Sequence, residues 1–331
     1  MDFSNINKIG VIADQNVMLL YPYYLDTIKG DKPCYIFSVL PGERNKSITE
    51  ATCLWQNLME NQFDKNSLII NFGGGMICDL GGFVASTFKR GIPFINVPTT
   101  LLAMIDAAAG GKNGVNLNLA KNMVGSFCLP QDVIIDTLFI KTLSPYELYN
   151  GFGELIKYAL IGIPHIWNEI KDIRHVNHRN IKKEWIDNCV AFKTQIVQQD
   201  FYDRGPRHIL NFGHTIGHAI ESCSMDSSRP LSHGHAVALG MVAEAYLSHR
   251  RKLLSAEDYD SIRHHILHLF SKIDNKNTGT DFKEKILSFC YLDKKNTNHQ
   301  INVTMLKGIG QALPDQVITA EECLDALQQI L

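Results

Sequence analysis

Up to about Thr142 the chain alternates short runs rich in Ile and Val with segments of helical spacing, and few folds accommodate that rhythm. Lys8–Ala13, Cys34–Val39, Ser67–Asn71, Phe94–Val97 and Val133–Ile135 read as strands bounded by Gly, Pro, Asp or Asn. Between the second and third, Ser47–Gln62 carries apolar residues at the period of a helix. Strand–helix–strand order with nearly continuous apolar strands describes a parallel sheet covered on both faces. The expectation is a Rossmann-like parallel α/β domain. Beyond Thr142 the texture changes. Trp185, Cys189, Phe192 and Ile196 recur about once per turn within Ile181–Gln199, and Ala236–Leu247, Tyr259–Phe270 and Glu321–Leu331 are also helix-like. Only Ile301–Met305 reads as a strand there. A boundary near Leu143–Pro145 therefore separates an α/β domain, 1–143, from a mostly helical one, 144–331.

At 331 residues, two domains of about 150 residues each are expected. The chain is 45% hydrophobic and 20% charged with a net charge of −2, so no bulk charge recruits nucleic acid. The opening Met-Asp-Phe-Ser-Asn-Ile-Asn-Lys has no charged-then-apolar signal pattern, and no apolar run approaches the roughly 18 residues of a membrane span. Eight cysteines are scattered singly, without a Cys-x-x-Cys pair. Reduced thiols in a cytoplasmic protein are the expectation.

The chemistry concentrates in Asn211-Phe-Gly-His-Thr-Ile-Gly-His-Ala-Ile-Glu221. His214 and His218, four apart, share one face of a helix. A third histidine, His233, follows, and upstream Glu154 and Lys157 interrupt an apolar stretch. Two histidines and a carboxylate are a common ligand set for a catalytic zinc, although a bare His-x3-His also occurs in cores as a hydrogen-bonded pair. Arg207 and Asn211 precede the histidines at helical spacing, so Arg207, Asn211, His214 and His218 would form one polar stripe lining a cavity. Lys193, on the preceding helix, could add its charge there.

Ser67–Asp79 runs from a strand through three glycines into a helix, a turn suited to a phosphate or, equally, to tight packing alone. The dinucleotide fingerprint Gly-x-Gly-x-x-Gly is not met, because Cys78 stands at its last glycine. Asp106-Ala-Ala-Ala-Gly-Gly-Lys112, with Asn116 and Lys121-Asn122 beyond it, puts ammonium groups beside glycine-rich backbone. That suits a phosphate or carboxylate, or a solvated loop. Leu292-Asp-Lys-Lys-Asn296 reads as a surface turn.

In this order, the motifs resemble the 3-dehydroquinate synthase family of the sugar-phosphate cyclases, from about Pro41 to Gly310. Gly-Gly-Gly-x3-Asp, Arg-Gly-x6-Pro-Thr-Thr-Leu-Leu, Asp-x3-Gly-Gly-Lys, Glu-x-x-Lys, Arg-x3-Asn-x-Gly-His-Thr-x-Gly-His-Ala-x-Glu, His-Gly-x-Ala-Val and Asp-Lys-Lys occur in sequence. The resemblance implies a metal, zinc or cobalt, held by Glu154, His214 and His233. It implies NAD on Glu43, Lys46, Gly75, Met76, Ile77, Cys78, Asp79, Thr99, Thr100, Phe139 and Thr142, with Lys112 and Lys121 lying together between cofactor and substrate. Asp106, Asn122, Lys157, Lys193, Arg207, Asn211, His218 and one of Lys294 or Lys295, here Lys295, would surround the substrate.

The implied reaction converts 3-deoxy-D-arabino-heptulosonate 7-phosphate to 3-dehydroquinate and phosphate, and a homodimer is expected. Two positions depart from the family pattern: Ala108 where many members have serine, and His235 where many have glutamate. His235, two residues from His233, is thus a rival third ligand. A metal- and NAD-dependent polyol or alcohol dehydrogenase, a cyclase for another sugar phosphate and a silent binding protein are the alternatives on the same scaffold.

Overall fold

The computed structural model describes residues 4–29, 31–118, 120–225, 230–273, 280–292 and 300–331. The chain divides into two compact units, Met1–Ser144 and Pro145–Leu331.

Unit 1 holds strands β1 (Lys8–Asp14), β2 (Cys34–Val39), β3 (Ser67–Gly73), β4 (Phe94–Pro98), β5 (Lys112–Leu117), β6 (Ala120–Phe127) and β7 (Asp132–Val133). Five form one parallel sheet in the order β2-β1-β3-β4-β7. All seven residues of β3 are buried, which is why this strand reads as an unbroken apolar run rather than an alternation. The helix Ile48–Glu60 starts where the Ser47 side chain accepts the Glu50 N–H at 3.2 Å, and it buries Ala51, Leu54 and Leu58 along one stripe. It packs beside the helix Gly75–Thr87, which follows β3 directly. Because β2 and β3 flank β1, the winding reverses between β1 and β3, and ligands of such sheets bind at the carboxyl ends of the strands there. The three-glycine turn Gly73–Gly75 lies at that end of β3.

The sequence reading differs from the structure in three places. Lys112–Phe127 is an antiparallel hairpin, β5–β6, rather than a loop with two lysines. Its residues are polar and glycine-containing, so the ladder of backbone bonds and not an apolar pattern defines it. The last sheet strand is Asp132–Val133, two residues long, rather than Val133–Ile135. In unit 2, β8 (Ile301–Leu306) has a partner, β9 (Ala312–Ile318), that the pattern hid, because Pro314 and the left-handed Asp315, φ 57°, break its period.

Unit 2 is otherwise helical. Pro145–Ile161, Lys183–Gln199, His214–Ser224 and His233–Arg250 carry the residues of interest, and His233–Arg250 is buried nearly all round. Pro145–Ile161 and His214–Ser224 both pack against or beside this central helix, as does Ala256–Leu269.

Behind the glycine turn, buried Asn71 donates to Asn96 Oδ1 at 2.9 Å, and Asn96 donates on to the Ala108 carbonyl at 2.9 Å. Gly81 lets its helix close onto this pair, since a Cβ there would lie 1.8 Å from Asn71 Oδ1. Overpacking of this kind costs about 1–3 kcal/mol. We expect Gly81→Ala to lower the urea midpoint accordingly, with Asn71→Ala in the same background restoring part of the loss. An unchanged midpoint for Gly81→Ala would contradict the close approach.

Candidate functional site

In unit 2 three helices converge on one carboxylate. Glu154, on Pro145–Ile161, is fully buried, and its Oε2 pairs with Lys157 Nζ at 2.5 Å one turn further along the same helix. Its Oε1 lies 3.3 Å from His214 Nε2 and 3.2 Å from His233 Nε2. Nitrogen and oxygen ligands at about 2.0–2.1 Å from a tetrahedral ion stand about 3.3 Å apart, so these separations match a shared metal. The outer contacts agree. His214 Nδ1 lies 3.0 Å from the Phe212 carbonyl, which can only accept, so the proton sits on Nδ1 and the Nε2 lone pair faces Glu154. His233 Nδ1 lies 3.2 Å from Glu221 Oε2, a second carboxylate that holds this ring in the same way. His218 joins the group: one ligand atom each from His214, His218 and His233 lies within 4.8 Å of the others.

Proton occupancy follows from the same geometry. Burial pushes the Glu154 carboxyl up, but the Lys157 charge and the two imidazoles outweigh it and hold the group well below the usual carboxylate range. Burial pulls His214 down to about 3, against the attraction of Glu154. Burial also pulls His233 down, yet hydrogen bonds to Glu154 and Glu221 prevail and push it up to about 10. The two imidazoles are thus shifted in opposite directions by their surroundings.

The stripe read from sequence is interrupted. Pro206–Asn211 is a short 3-10 helix, Phe212 is extended, and Gly213 is left-handed at φ 76°, so the helix begins afresh at His214. Arg207 and Asn211 therefore do not share a continuous helix with the histidines. Arg207 is 2% exposed, and its guanidinium donates to the Phe201 carbonyl at 2.8 Å. The backbone of its loop is gathered by Asp200, whose carboxylate accepts N–H groups from Arg204, Gly205 and Arg207 at 2.9, 2.8 and 3.2 Å. Lys193 is buried on the inward stripe of its helix, in line with Cys189 and Val197. His235 is not a rival ligand here. Its Nε2 donates to the Ser271 carbonyl at 2.8 Å and its ring packs against Phe270, 5.5 Å between centroids.

In unit 1 a second buried charge organises the nucleotide candidates. Lys46, 3% exposed, pairs with Asp79 and donates to Asn122 Oδ1 at 2.5 Å, while Asn116 donates to Glu43 Oε1 at 3.0 Å. Burial lowers the Lys46 pKa, but Asp79 and Glu43 outweigh it and raise it. Gly75, Met76 and Ile77 form the first turn of their helix, and Cys78 is buried in it. Thr99 donates its N–H to the Gly73 carbonyl at 2.9 Å, and Thr100 caps the next helix beside Gly74. Phe139 is buried against Tyr21, Tyr24 and Phe72, and the Tyr21 hydroxyl bonds Thr142.

Asp106 ends the helix Leu101–Ile105. Lys112 and Lys121 are both on the hairpin, whose register puts Lys112 opposite Phe127 and Lys121 beside the Leu117–Ala120 pair. Lys294 and Lys295 lie outside the described residues.

Two family models match in succession, the 3-dehydroquinate synthase N-terminal domain over residues 36–150 and the C-terminal domain over 151–296. The 3-dehydroquinate synthase of Parabacteroides distasonis is 38% identical over 323 residues, 97% of this chain and 90% of the relative. That of Clostridium acetobutylicum is 36% identical over 95% of this chain and 88% of its own length. The chain belongs to the 3-dehydroquinate synthase family. Solved structures agree on the fold of this family. A 2-deoxy-scyllo-inosose synthase complexed with carbaglucose-6-phosphate, NAD+ and Co2+ superposes with a TM-score of 0.86 at 24% identity, covering 100% of this chain and 92% of that one. Glycerol dehydrogenase from Schizosaccharomyces pombe follows more loosely, TM-score 0.67 at 17% identity over 98% and 82%.

In this 3-dehydroquinate synthase family member Glu221 and Asp200 have roles that the sequence motifs do not assign. Glu221 had a usable signal, since it lies seven residues after His214 and three after His218 on one helix. Asp200 had none, because its role is to gather backbone.

The arginine loop carries a pH-dependent tie. His208 Nδ1 pairs with Asp315 Oδ1 at 2.9 Å and Nε2 lies 3.0 Å from the Asp203 carbonyl. Burial lowers the His208 pKa, and these partners outweigh it and raise it. A histidine raised on folding contributes stability fully below its ordinary value and loses it as pH climbs through the raised one. We expect Asp315→Asn to lower the melting temperature at pH 6, by the equivalent of no more than about 1 kcal/mol for so exposed a pair, and to leave it unchanged at pH 9. Equal losses at both pH values would contradict the tie.

Proposed function

We infer that this chain is a 3-dehydroquinate synthase, a carbon–oxygen lyase acting on a phosphate. It converts 3-deoxy-D-arabino-heptulosonate 7-phosphate to 3-dehydroquinate and phosphate by transient oxidation, phosphate elimination, reduction, ring opening and intramolecular aldol closure. It thereby serves the shikimate pathway to chorismate and the aromatic amino acids. The observation that carries this reading is the Glu154–His214–His233 set beside buried Lys157, in a chain 38% identical along 97% of its length to a 3-dehydroquinate synthase.

In this reading residues 1–143 bind NAD and residues 144–331 hold the metal and the anionic parts of the substrate. NAD, when bound, takes up and returns a hydride. A divalent cation, zinc or cobalt, supplies Lewis-acid charge that acidifies the substrate's hydroxyls. Glu154, His214 and His233 hold that cation, with His218 beside it toward substrate. The turn Gly75–Asp79, with Glu43, Lys46, Thr99, Thr100, Lys112, Lys121, Phe139 and Thr142, forms the nucleotide site. The helix start at Gly75 offers its backbone N–H groups to a phosphate.

Arg207 and Asn211 reach the substrate phosphate, and Lys157, Lys193, Asp106, Asn122 and Lys295 are the further residues assigned to the substrate. Buried cations act strongly on a dianion because little water screens them, and Arg207, already held by its own loop, needs no reordering to do so. The leaving phosphate's own oxygens take the proton at elimination, so no separate protein base is needed for that step. Eight cysteines in the thiol form support a cytoplasmic setting, and a homodimer belongs to the same reading. Among the described residues, no helix is long and apolar enough to cross a membrane.

The deciding experiment supplies the heptulosonate phosphate, zinc or cobalt, and NAD far below the substrate concentration. We expect many turnovers per NAD, with phosphate and dehydroquinate in equal amounts and no NADH accumulating. NADH equal to product, without phosphate, would make the chain a dehydrogenase on the same fold. No turnover with metal and NAD both bound would point to another sugar phosphate.

Arg207→Ala removes a charge-assisted bond of roughly 1.5–3 kcal/mol and is expected to lower kcat/KM at least about tenfold while NAD binding is retained. Loss of NAD affinity with unchanged affinity for a phosphonate analogue of the substrate would remove Arg207 from the phosphate.

A further inference from the structure

The helix that presents His214 begins without a side-chain cap of its own. Its N-cap is Gly213, left-handed at φ 76°, and the third helical position, where a glutamate would return to the N-cap N–H in a capping box, is Ile216. The missing acceptor comes from another helix. Glu244, fully buried on His233–Arg250, accepts the Gly213 N–H on Oε2 at 2.7 Å. Gly213 is packed too closely for any side chain, since a Cβ there would lie 2.4 Å from Met241 Cγ and 2.7 Å from the Val237 carbonyl. The helix that bears Glu244 also bears His233 at its first position. One rod thus presents His233 and, through Glu244, fixes the residue immediately before His214.

We propose that Glu244 is a positioning residue of the metal centre: by holding Gly213 it sets His214 against His233 and Glu154. It acts through the backbone, with its negative charge at a helix N-terminus where a buried acceptor is best placed. This rests on the assignment of Glu154, His214 and His233 as ligands, and the experiment separates the two.

Cobalt(II) is titrated into the metal-free full-length protein and followed by its visible d–d bands, a readout independent of turnover. If His214→Ala binds cobalt with unchanged affinity and bands, the ligand assignment falls, and this proposal with it. If His214→Ala loses the bands, the comparison turns on Glu244. Glu244→Ala is expected to weaken cobalt binding about 10–100-fold and to shift the bands. Glu244→Gln, whose amide oxygen can still accept from Gly213, is expected to stay within about threefold of wild type. Wild-type affinity and bands in Glu244→Ala overturn the proposal, as does a glutamine variant as impaired as the alanine one. Should Glu244→Ala not fold, hydrogen exchange of the wild-type protein decides. The Gly213 amide is expected to exchange as slowly as the interior of its helix, and exchange at the rate of open backbone overturns the proposal.

Discussion

A carboxylate without solvent contact, Glu154, is the constraint around which unit 2 is arranged. Burying an ion costs several kcal/mol unless partners answer it, and here they come from three helices: Lys157 from its own, His214 and His233 from two others. Each partner must approach to hydrogen-bond distance through an otherwise apolar core of Phe152, Leu155 and Ile156. That requirement fixes the mutual placement of the helices more narrowly than apolar packing does, since hydrocarbon contacts tolerate small slides and a charged pair does not. Glu221 behind His233 and the Phe212 carbonyl behind His214 extend the arrangement outward by one layer. An arrangement that satisfies every outer contact and leaves one space among three ligand atoms is the form a metal site takes.

Unit 1 follows the same physical rule with opposite sign. Lys46 is the buried charge, and Asp79 on the glycine-turn helix and Asn122 on the hairpin answer it. It therefore ties the start of a nucleotide-type turn to a strand that no local pattern would have brought near it. Burial that is paid for by named partners marks both places where chemistry is expected, and neither place is on an ordinary solvated face.

Most of the sheet was legible in the sequence because β3 and β4 are buried along their whole length and β1 through its centre, and only apolar runs survive there. The hairpins were not. β5, β6 and β9 are stabilised chiefly by backbone ladders and carry glycine, asparagine or proline where a pattern search wants valine. The face shared by His214 and His218 was legible by residue type and spacing, whereas the continuous helix drawn through Arg207 and His218 was not correct. Spacing shows what a helix would bring together, but a single left-handed residue, Gly213, decides whether the helix is there. Glu221, Glu244 and Asp200 escaped for a related reason. An acidic residue on a helix normally reads as solvent-facing, and only the tertiary neighbours reveal that these accept from a histidine, a glycine amide and a loop backbone.

Dehydrogenases share this architecture, so fold does not choose the reaction. The choice lies in the cations. Oxidising a neutral alcohol needs a hydride acceptor and a Lewis acid, and extra buried positive charge would only add desolvation cost without any ground-state or transition-state partner to repay it. Lys157, Lys193 and Arg207 are all kept in the interior, and Asp200 accepts three backbone N–H groups that hold the arginine's loop in shape. In the proposed function that prearranged charge binds a dianion and stabilises the departing phosphate without having to reorganise as it leaves.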